Sequence, residues 1–152
     1  MRAVVSTDLG RIALTLRPDA APVTVSHFIS IAPNYSGCCF YRSDFVIQCG
    51  LQRPDGTALS APAIPVNESQ SGAKLSNKRG TAAFGHWDVP DNGSSDWFIN
   101  LQANDHLDDA YGGYAVFAHV EDGDSESSKT MDAIQAAVLA GSKPVIRTID
   151  IN

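Results

Sequence analysis

The chain has 152 residues, of which 43% are hydrophobic and 18% are charged, and its formal net charge is -6. A chain of this length fits a single domain over residues 1–152, which would bury about 70% of the surface that its unfolded form exposes. The acidic charge argues against a nucleic-acid partner, because binding a phosphate backbone requires a clustered basic surface. No apolar run approaches the roughly 18 residues of a membrane span, so no membrane partner is expected either.

The chain opens with a predicted β-hairpin followed by a short helix. Two apolar, β-branched runs, AVVST and IALTL, flank Asp8-Leu9-Gly10, and glycine at such a turn is typical of paired strands. Asp8 and Arg11 interrupt the continuous apolar core that a signal peptide would need, so we expect a cytoplasmic protein. Pro22 suits the first turn of the helix, and Pro33 ends it.

The rest of the chain predicts a long irregular segment, further strands and one more helix. Residues 51–78 are rich in Pro, Gly, Ser, Asn and Gln and show little periodicity. Strand patterns follow as GTAAF, WFINL, YAVFAHV and, at the end, PVIRTIDI. A charged serine loop over 121–128 precedes TMDAIQAAVLA, a helix that we expect Thr130 to cap. This loop is interpreted as a solvated linker, with a phosphorylation switch as the alternative.

Many strands, two short helices and no crossover helices predict a mainly β fold, either a closed barrel or a sandwich. Within WFINL, Trp97 and Phe98 must face opposite sides of the sheet, so one is predicted to be in the core while the other lines a surface pocket.

Cys38, Cys39 and Cys49 cannot all pair with one another, which predicts buried, reduced thiols.

Several classes of chemistry lack their sequence patterns. No pair of histidines or cysteines has the HxxxH or CxxC spacing of a metal site, so no metal and no cofactor is expected. There is no G-x-S-x-G nucleophile elbow and no glycine-rich phosphate loop that leads into a helix. Nucleophilic catalysis and nucleotide binding are therefore disfavoured.

Arg42 is the unusual residue of the sequence. It lies in CCFYRSDFVIQCG among Phe40, Tyr41, Phe45 and Val46, the composition of a buried strand in which an unpaired guanidinium would be costly. One interpretation is that Arg42 pairs with Asp44 at a strand end and reaches water. The other is that a fixed cation serves a reaction.

Five collinear segments resemble the signatures of the cyclophilins, the family of peptidyl-prolyl cis/trans isomerases. FYRSDFVIQCG is similar to F-H-R-x-x-x-x-F-x-x-Q-G-G, and NES with KRGTAAF is similar to N-E-x and R-G-x-x-x-M. SSDWFINL resembles S-x-Q-F-F-I, NDHLDD resembles the segment that carries W-L-D, and YAVFAHVEDG resembles H-V-V-F-G-x-V-x-x-G. The resemblance covers essentially the whole chain and implies a closed eight-stranded antiparallel β-barrel capped by two α-helices.

The resemblance implies the site residues position by position. Arg42 and Gln48 match the catalytic arginine and the glutamine that supports it. The residues that match the substrate-binding positions are Phe45, Val46, Phe84, Gly85, His86, Phe98, His106, Leu107 and Tyr114. The expected partners are proline-containing peptides and unfolded or client proteins, and the expected state is a monomer that assists protein folding.

Four departures from the family pattern bear on these expectations. The loop between Arg42 and Phe45 is two residues shorter than in the signature. Asp96 replaces the usual glutamine, and Tyr114 stands where histidine is typical, as tyrosine does in bacterial members. His106 replaces a tryptophan whose indole binds cyclosporin, which puts binding of that drug in doubt. A catalytically weak module or scaffold that binds proline peptides is therefore kept as the alternative function.

Overall fold

The computed structural model describes residues 1–71, 73–86 and 92–152, in which eight strands, two α-helices and three 3₁₀ turns are found. The strands are β1 Arg2–Thr7, β2 Gly10–Leu16, β3 Phe40–Ser43, β4 Val46–Cys49, β5 Thr81–Phe84, β6 Trp97–Asn100, β7 Val116–Val120 and β8 Ile146–Ile151. The α-helices are α1 Pro22–Ile31 and α2 Ser125–Leu139, and the 3₁₀ turns are Ala32–Tyr35, Asp105–Asp108 and Ala110–Gly112.

All strand pairs are antiparallel, in the order β3-β4-β6-β5-β7-β2-β1-β8, so the predicted mainly β architecture with two helices is confirmed. The sheet is a curled half-barrel, and the predicted closed barrel is not confirmed. The two edges of the sheet are joined by an isolated bridge between Cys39 and Val145 and by backbone hydrogen bonds from Phe40 N to Pro144 O and from Ile146 N to Cys38 O.

The predicted N-terminal hairpin is confirmed. β1 and β2 pair in unbroken register from Arg2 opposite Thr15 to Thr7 opposite Gly10. Gly10 has a φ of 132°, a conformation that side chains rarely adopt, and the Thr7 hydroxyl donates to its carbonyl oxygen at 2.8 Å. The closing strand is also confirmed, since β8 pairs with β1.

The first helix begins with Pro22, as predicted, and has no side-chain cap from its own N-cap residue. Glu68 replaces that cap from the irregular segment, because its carboxylate accepts from Val23 N at 3.1 Å and from Thr24 N at 2.7 Å. A carboxylate at a helix N-terminus satisfies free N–H groups and complements the helix dipole. The segment 51–78 is thus irregular, as predicted, but it fixes the helix in place.

The second helix begins earlier than predicted. Its N-cap is Asp124, whose carboxylate accepts from Ser127 N at 3.0 Å, whereas Thr130 lies inside the helix and donates to Glu126 O. The prediction that 121–128 forms a loop was therefore wrong for 125–128, which form the first turn. The Asp124 carboxylate also accepts from the Ser127 hydroxyl at 2.6 Å, which fixes the start of the helix at this residue.

Two apolar clusters lie on opposite faces of the curled sheet. The inner cluster is the core and includes Phe28, Trp97, Ile99 and Phe117. The outer cluster consists of Val46, Ala83, Phe98 and Leu107, with Phe45 and Tyr114 packed against it. The prediction that Trp97 and Phe98 face opposite sides is confirmed. Within the described ranges, neither helix combines the length and apolar character needed to cross a bilayer.

Candidate active site

A cavity of about 610 Å³ opens over the outer cluster, beside the short β3–β4 turn. Ten of the eleven site residues predicted from the sequence line it: Arg42, Phe45, Val46, Gln48, Gly85, His86, Phe98, His106, Leu107 and Tyr114. They come from β3, β4 and the turn between them, from β6, from the two residues after β5, from the 3₁₀ turn Asp105–Asp108 and from the segment just before β7. The fold therefore assembles in one place residues that are spread over more than seventy positions of the chain.

The floor of the cavity is apolar. Val46, Phe98 and Leu107 are 2%, 4% and 8% exposed, and the rings of Phe98 and Tyr114 meet edge to face with centroids 5.8 Å apart. On the rim, the exposed His106 meets Phe45 edge to face at 5.4 Å. Small apolar surfaces framed by aromatic rings suit a compact aliphatic ring, and a pyrrolidine ring has that character.

Arg42 is the cation at the edge of this floor. Its side chain is 48% exposed, so it is not the buried charge that the strand composition suggested. Nη2 donates to Asp44 Oδ2 at 2.8 Å and Nη1 donates to Gln48 Oε1 at 2.8 Å. Arg42 therefore pairs with Asp44, as the first interpretation predicted, and its side chain also lines the cavity.

The short turn explains how Asp44 reaches Arg42. Asp44 N donates to Val46 O at 3.0 Å, and Asp44 Oδ1 accepts from Val46 N at 3.2 Å, which closes the turn between β3 and β4 tightly. Ser43 adds a hydrogen bond from its hydroxyl to Val46 O. The loop that is two residues shorter than in the family signature thus places a carboxylate on one side of the guanidinium.

Gln48 accepts a hydrogen bond from Arg42 and is itself hydrogen-bonded to Tyr41. Arg42 lies directly opposite Gln48 in the β3–β4 ladder. Gln48 Nε2 donates to Tyr41 Oη at 2.9 Å, and Tyr41 Oη donates to Asp96 Oδ2 at 2.6 Å. Burial, reinforced by the Asp96 carboxylate, raises the pKa of Tyr41 above its ordinary range, so its hydroxyl keeps its proton. Tyr41 was not among the residues predicted for the site.

His86 and Tyr114 form one wall of the cavity. Their rings stack with centroids 4.1 Å apart and an interplanar angle of 19°. His86 Nε2 lies 2.8 Å from Gly113 O, and the Tyr114 hydroxyl donates to His86 O at 3.2 Å. The carbonyl of His86, a residue that matches a substrate-binding position of the family, therefore has a partner within the protein.

The structure does not bring the Phe84 side chain to the cavity. Phe84 is 3% exposed, and its ring packs in the core against Phe28 and Phe117 at 6.4 and 5.2 Å. Alternation along β5 explains the difference, because Ala83 faces the outer cluster and its neighbour must therefore face inward. Gly85, the next residue, does line the cavity.

Other residues reach the cavity without having been predicted: Gly93, Ser94, Ser95, Asp96, Ala110 and Tyr111. Asp96 had been noted only as a departure from the family pattern. Tyr111 is 62% exposed and has a φ of 52°, the one positive value among the non-glycine residues in the described ranges. Its position follows from the backbone of the loop before β7, which no side-chain periodicity would reveal.

A buried polar network supports the cavity from below. Asn77, Asn100 and Asn104 are each 0% exposed. Asn104 Nδ2 donates to Phe45 O at 3.1 Å, and Asn77 Nδ2 donates to Tyr114 O at 3.1 Å, while Asn100 links the two asparagines. The backbone on both sides of the floor is therefore fixed by one set of hydrogen bonds.

The three cysteines are free and buried, as predicted. Burial raises the pKa of Cys38, Cys39 and Cys49, so these thiols are poor nucleophiles. Among residues 1–71, 73–86 and 92–152, no group of three or more histidine, cysteine, aspartate or glutamate side chains has an arrangement that could hold a metal ion.

Comparison with known proteins places this geometry in context. Residues 2–152 match the family described as cyclophilin type peptidyl-prolyl cis-trans isomerase/CLD. The chain is 33% identical over 147 residues to peptidyl-prolyl cis-trans isomerase cyp18 of Streptomyces antibioticus, with 91% of this chain and 85% of that protein covered. It is 35% identical over 127 residues to peptidyl-prolyl cis-trans isomerase B of Escherichia coli, with 77% and 76% covered.

A solved structure shares the fold. A cyclophilin type peptidyl-prolyl cis-trans isomerase of Cryptosporidium parvum, crystallised in the presence of the dipeptide Ala-Pro, superposes with a TM-score of 0.72 and covers 100% of this chain and 99% of its own. The sequence identity between the two is 18%. At that level the similarity describes the arrangement of the backbone rather than the chemistry of the site.

Proposed function

Because the chain belongs to the cyclophilin-type peptidyl-prolyl cis-trans isomerase family, we propose that its cavity binds the proline of an X-Pro peptide and that Arg42 catalyses rotation about the prolyl bond. One observation carries the proposal. A guanidinium, oriented by the Gln48 amide at 2.8 Å, lies at the edge of an apolar floor made by Val46, Phe98 and Leu107. A cation beside a ring-sized apolar surface is what this reaction requires.

The barrier to the reaction comes from amide resonance. Rotation about an X-Pro bond must overcome about 18 to 20 kcal/mol, because the C–N bond has partial double-bond character. In the twisted state this resonance is lost and the prolyl nitrogen regains a lone pair. A donor that meets this lone pair stabilises the twisted state more than either planar state, which accelerates the reaction without any covalent step.

Arg42 supplies such a donor. Its guanidinium is permanently charged and carries five N–H groups, of which Gln48 and Asp44 engage two. The apolar floor holds the ring while the carbonyl before it turns, and Gln48 keeps the guanidinium in a fixed orientation. The neighbour from Cryptosporidium parvum, crystallised with Ala-Pro, supports a proline-containing ligand for this fold.

The physiological substrates that we propose are unfolded or client proteins that contain proline. The protein would act as a cytoplasmic monomer that assists folding, since slow prolyl isomerisation limits the folding of many chains. Cyclosporin is not proposed as a ligand, because His106 occupies the rim position of the expected indole and offers a smaller contact surface.

The Arg42–Asp44 ion pair favours a second candidate function. If Asp44 holds the guanidinium more strongly than the substrate does, the cavity would bind proline peptides without accelerating their isomerisation. The pair is about half exposed, where ion pairs contribute little, so substrate is expected to compete successfully. The isomerase is therefore favoured over the binding module.

The experiment is cis/trans exchange of a short Ala-Pro peptide, measured by NMR for the wild type and for Arg42→Ala. We expect the wild type to accelerate exchange and the variant to lose most of that acceleration while remaining folded. Arg17→Ala is the matched control, because Arg17 also pairs with an aspartate two residues later and is absent from the cavity lining. Peptide binding without acceleration by the wild type would support the binding module instead.

A further inference from the structure

Two departures from the family pattern touch each other in this structure. Tyr41 stands at the histidine position of F-H-R, and Asp96 stands at the glutamine position of S-x-Q-F-F-I. Although they are 55 residues apart, the Tyr41 hydroxyl donates to Asp96 Oδ2 at 2.6 Å. The hydroxyl also accepts from Gln48 Nε2 at 2.9 Å. The two replacements therefore form one connected arrangement directly behind the glutamine that orients Arg42.

The four side chains Arg42, Gln48, Tyr41 and Asp96 form a hydrogen-bond relay. The direction of every hydrogen bond in this relay follows from the charged groups at its two ends. Arg42 can only donate, so Gln48 must present Oε1 to it and Nε2 to Tyr41. An ionised Asp96 can only accept, so the single hydroxyl proton of Tyr41 points to Asp96 and its oxygen is left to accept from Gln48. The carboxylate thus opposes a flip of the Gln48 amide, which would place two donors against each other at Arg42.

Gly50 provides the space for this arrangement. A Cβ at position 50 would overlap with Asp96 Oδ1, so any larger residue would displace the carboxylate. The space is needed for packing and not for backbone conformation, because Gly50 is absent from the glycines with positive φ. Three positions, Tyr41, Gly50 and Asp96, are therefore fitted to one another around the Gln48 amide.

We propose that Tyr41 and Asp96 are positioning residues, and that the Asp96 carboxylate, acting through the Tyr41 hydroxyl, fixes the orientation of the Gln48 amide and hence of the Arg42 guanidinium. This inference rests on the proposed function, since it assigns to the pair a part in the same reaction. It explains why a tyrosine and an aspartate occur together at these two positions.

The first test is Tyr41→Phe, which removes the hydroxyl and keeps the ring. We expect kcat to fall by about three- to tenfold, the equivalent of one hydrogen bond, with little change in peptide affinity because the apolar floor is intact. Tyr35→Phe is the matched control. Tyr35 is also buried and its hydroxyl donates to Ser95 O, next to Asp96, but it makes no bond to Gln48. Unchanged kcat in Tyr41→Phe, or an equal fall in Tyr35→Phe, would overturn the proposal.

The second test reverses the donor–acceptor direction of the hydrogen bonds that Tyr41 makes. In Gln48→Glu, two carboxylates compete for the one Tyr41 proton, so activity should fall. In the double variant Gln48→Glu/Asp96→Asn, Tyr41 can donate to the new glutamate and accept from the asparagine amide, which satisfies every group again. We expect the double variant to be more active than Gln48→Glu alone. If each substitution reduced activity by its own factor and the two factors multiplied in the double variant, the two residues would not belong to one series of hydrogen bonds.

A third measurement does not depend on turnover. The side-chain amide resonances of Gln48 in a ¹⁵N-labelled protein report the bond to Tyr41, and they should shift in Tyr41→Phe and in Gly50→Ala but not in Tyr35→Phe. If the wild type failed to accelerate exchange, the proposed function would be wrong. The resonance shifts would still show whether Tyr41 is hydrogen-bonded to Gln48. If Arg42→Ala abolished activity but the Gln48 resonances did not shift in Tyr41→Phe or Gly50→Ala, only the positioning role of Tyr41 and Asp96 would be contradicted.

Discussion

The inner and outer apolar clusters are made by the same strands but serve different ends. Along β6, Trp97 and Ile99 face the core, and both are fully buried, whereas Phe98 faces the cavity. The inner cluster is large and closed over by the sheet and helices. The outer cluster has four buried residues and is left beneath an open cavity. Alternation alone thus produces a core that stabilises the fold and a small apolar surface that is available to a ligand.

The largest effect on stability is expected from the inner cluster. Phe117→Ala removes a fully buried ring that packs against Phe28 and Phe84 with centroids 5.0 and 5.2 Å apart. We expect the free energy of unfolding to fall by about 3–5 kcal/mol, because the substitution leaves a cavity in the core. Denaturant unfolding measures this. Peptide exchange catalysed by the fraction that remains folded should stay near the wild-type rate.

The corresponding change in the outer cluster should act mainly on binding. Phe98→Ala removes part of the apolar floor where a proline ring would rest, and we expect peptide affinity to weaken by about tenfold or more through lost contact area. Titration of an Ala-Pro peptide followed by NMR measures this change. If Phe98→Ala bound peptide normally but unfolded as readily as Phe117→Ala, the outer cluster would contribute to stability and not to peptide binding.

A smaller effect should appear at acid pH, because the polar network below the outer cluster includes the Asp108 carboxylate, which accepts from Asn77. Burial opposes ionisation of Asp108, but hydrogen bonds from Ser76 and Asn77 outweigh it, so the pKa of Asp108 lies below its ordinary value of 3.8. The stabilisation from this group is therefore present above pH 3.8 and is lost as the pH falls through its lowered pKa.

The measurement is the free energy of unfolding of the wild type and of Asp108→Asn as a function of pH. We expect the wild type to be more stable at neutral pH, and the difference to shrink below the ordinary pKa of an aspartate as Asp108 takes up a proton. A difference that stayed constant down to strongly acid pH would mean that the carboxylate gives no pH-dependent support to the network.

The sequence predicted those parts of the fold that depend on local pattern. The β1–β2 hairpin, the helix at Pro22 and the opposite orientations of Trp97 and Phe98 all follow from turn residues, proline and alternation. The start of α2 was misplaced, because two residue types that favour the N-cap, Asp124 and Thr130, occur six positions apart and only packing decides between them. The predicted closure of the barrel, which depends on long-range pairing between the first and last strands of the sheet, is not confirmed.

The site was predicted less completely than the strands that carry it. The family signature led to Arg42, Gln48 and the apolar floor, all of which line one cavity. It also nominated Phe84, whose inward orientation depends on the register of β5. Tyr41 and Asp96 could not be connected, because a contact between positions 55 residues apart exists only once the sheet is assembled.

The most direct test of the account is the cis/trans exchange rate of an Ala-Pro peptide in the presence of wild type and of Arg42→Ala, each adjusted to the same fraction of bound peptide. Matching the bound fraction separates catalysis from affinity. We expect the wild type to accelerate exchange and Arg42→Ala, although it binds the peptide and stays folded, to lose most of this acceleration. Equal acceleration by the two proteins at equal occupancy would contradict the central role of Arg42.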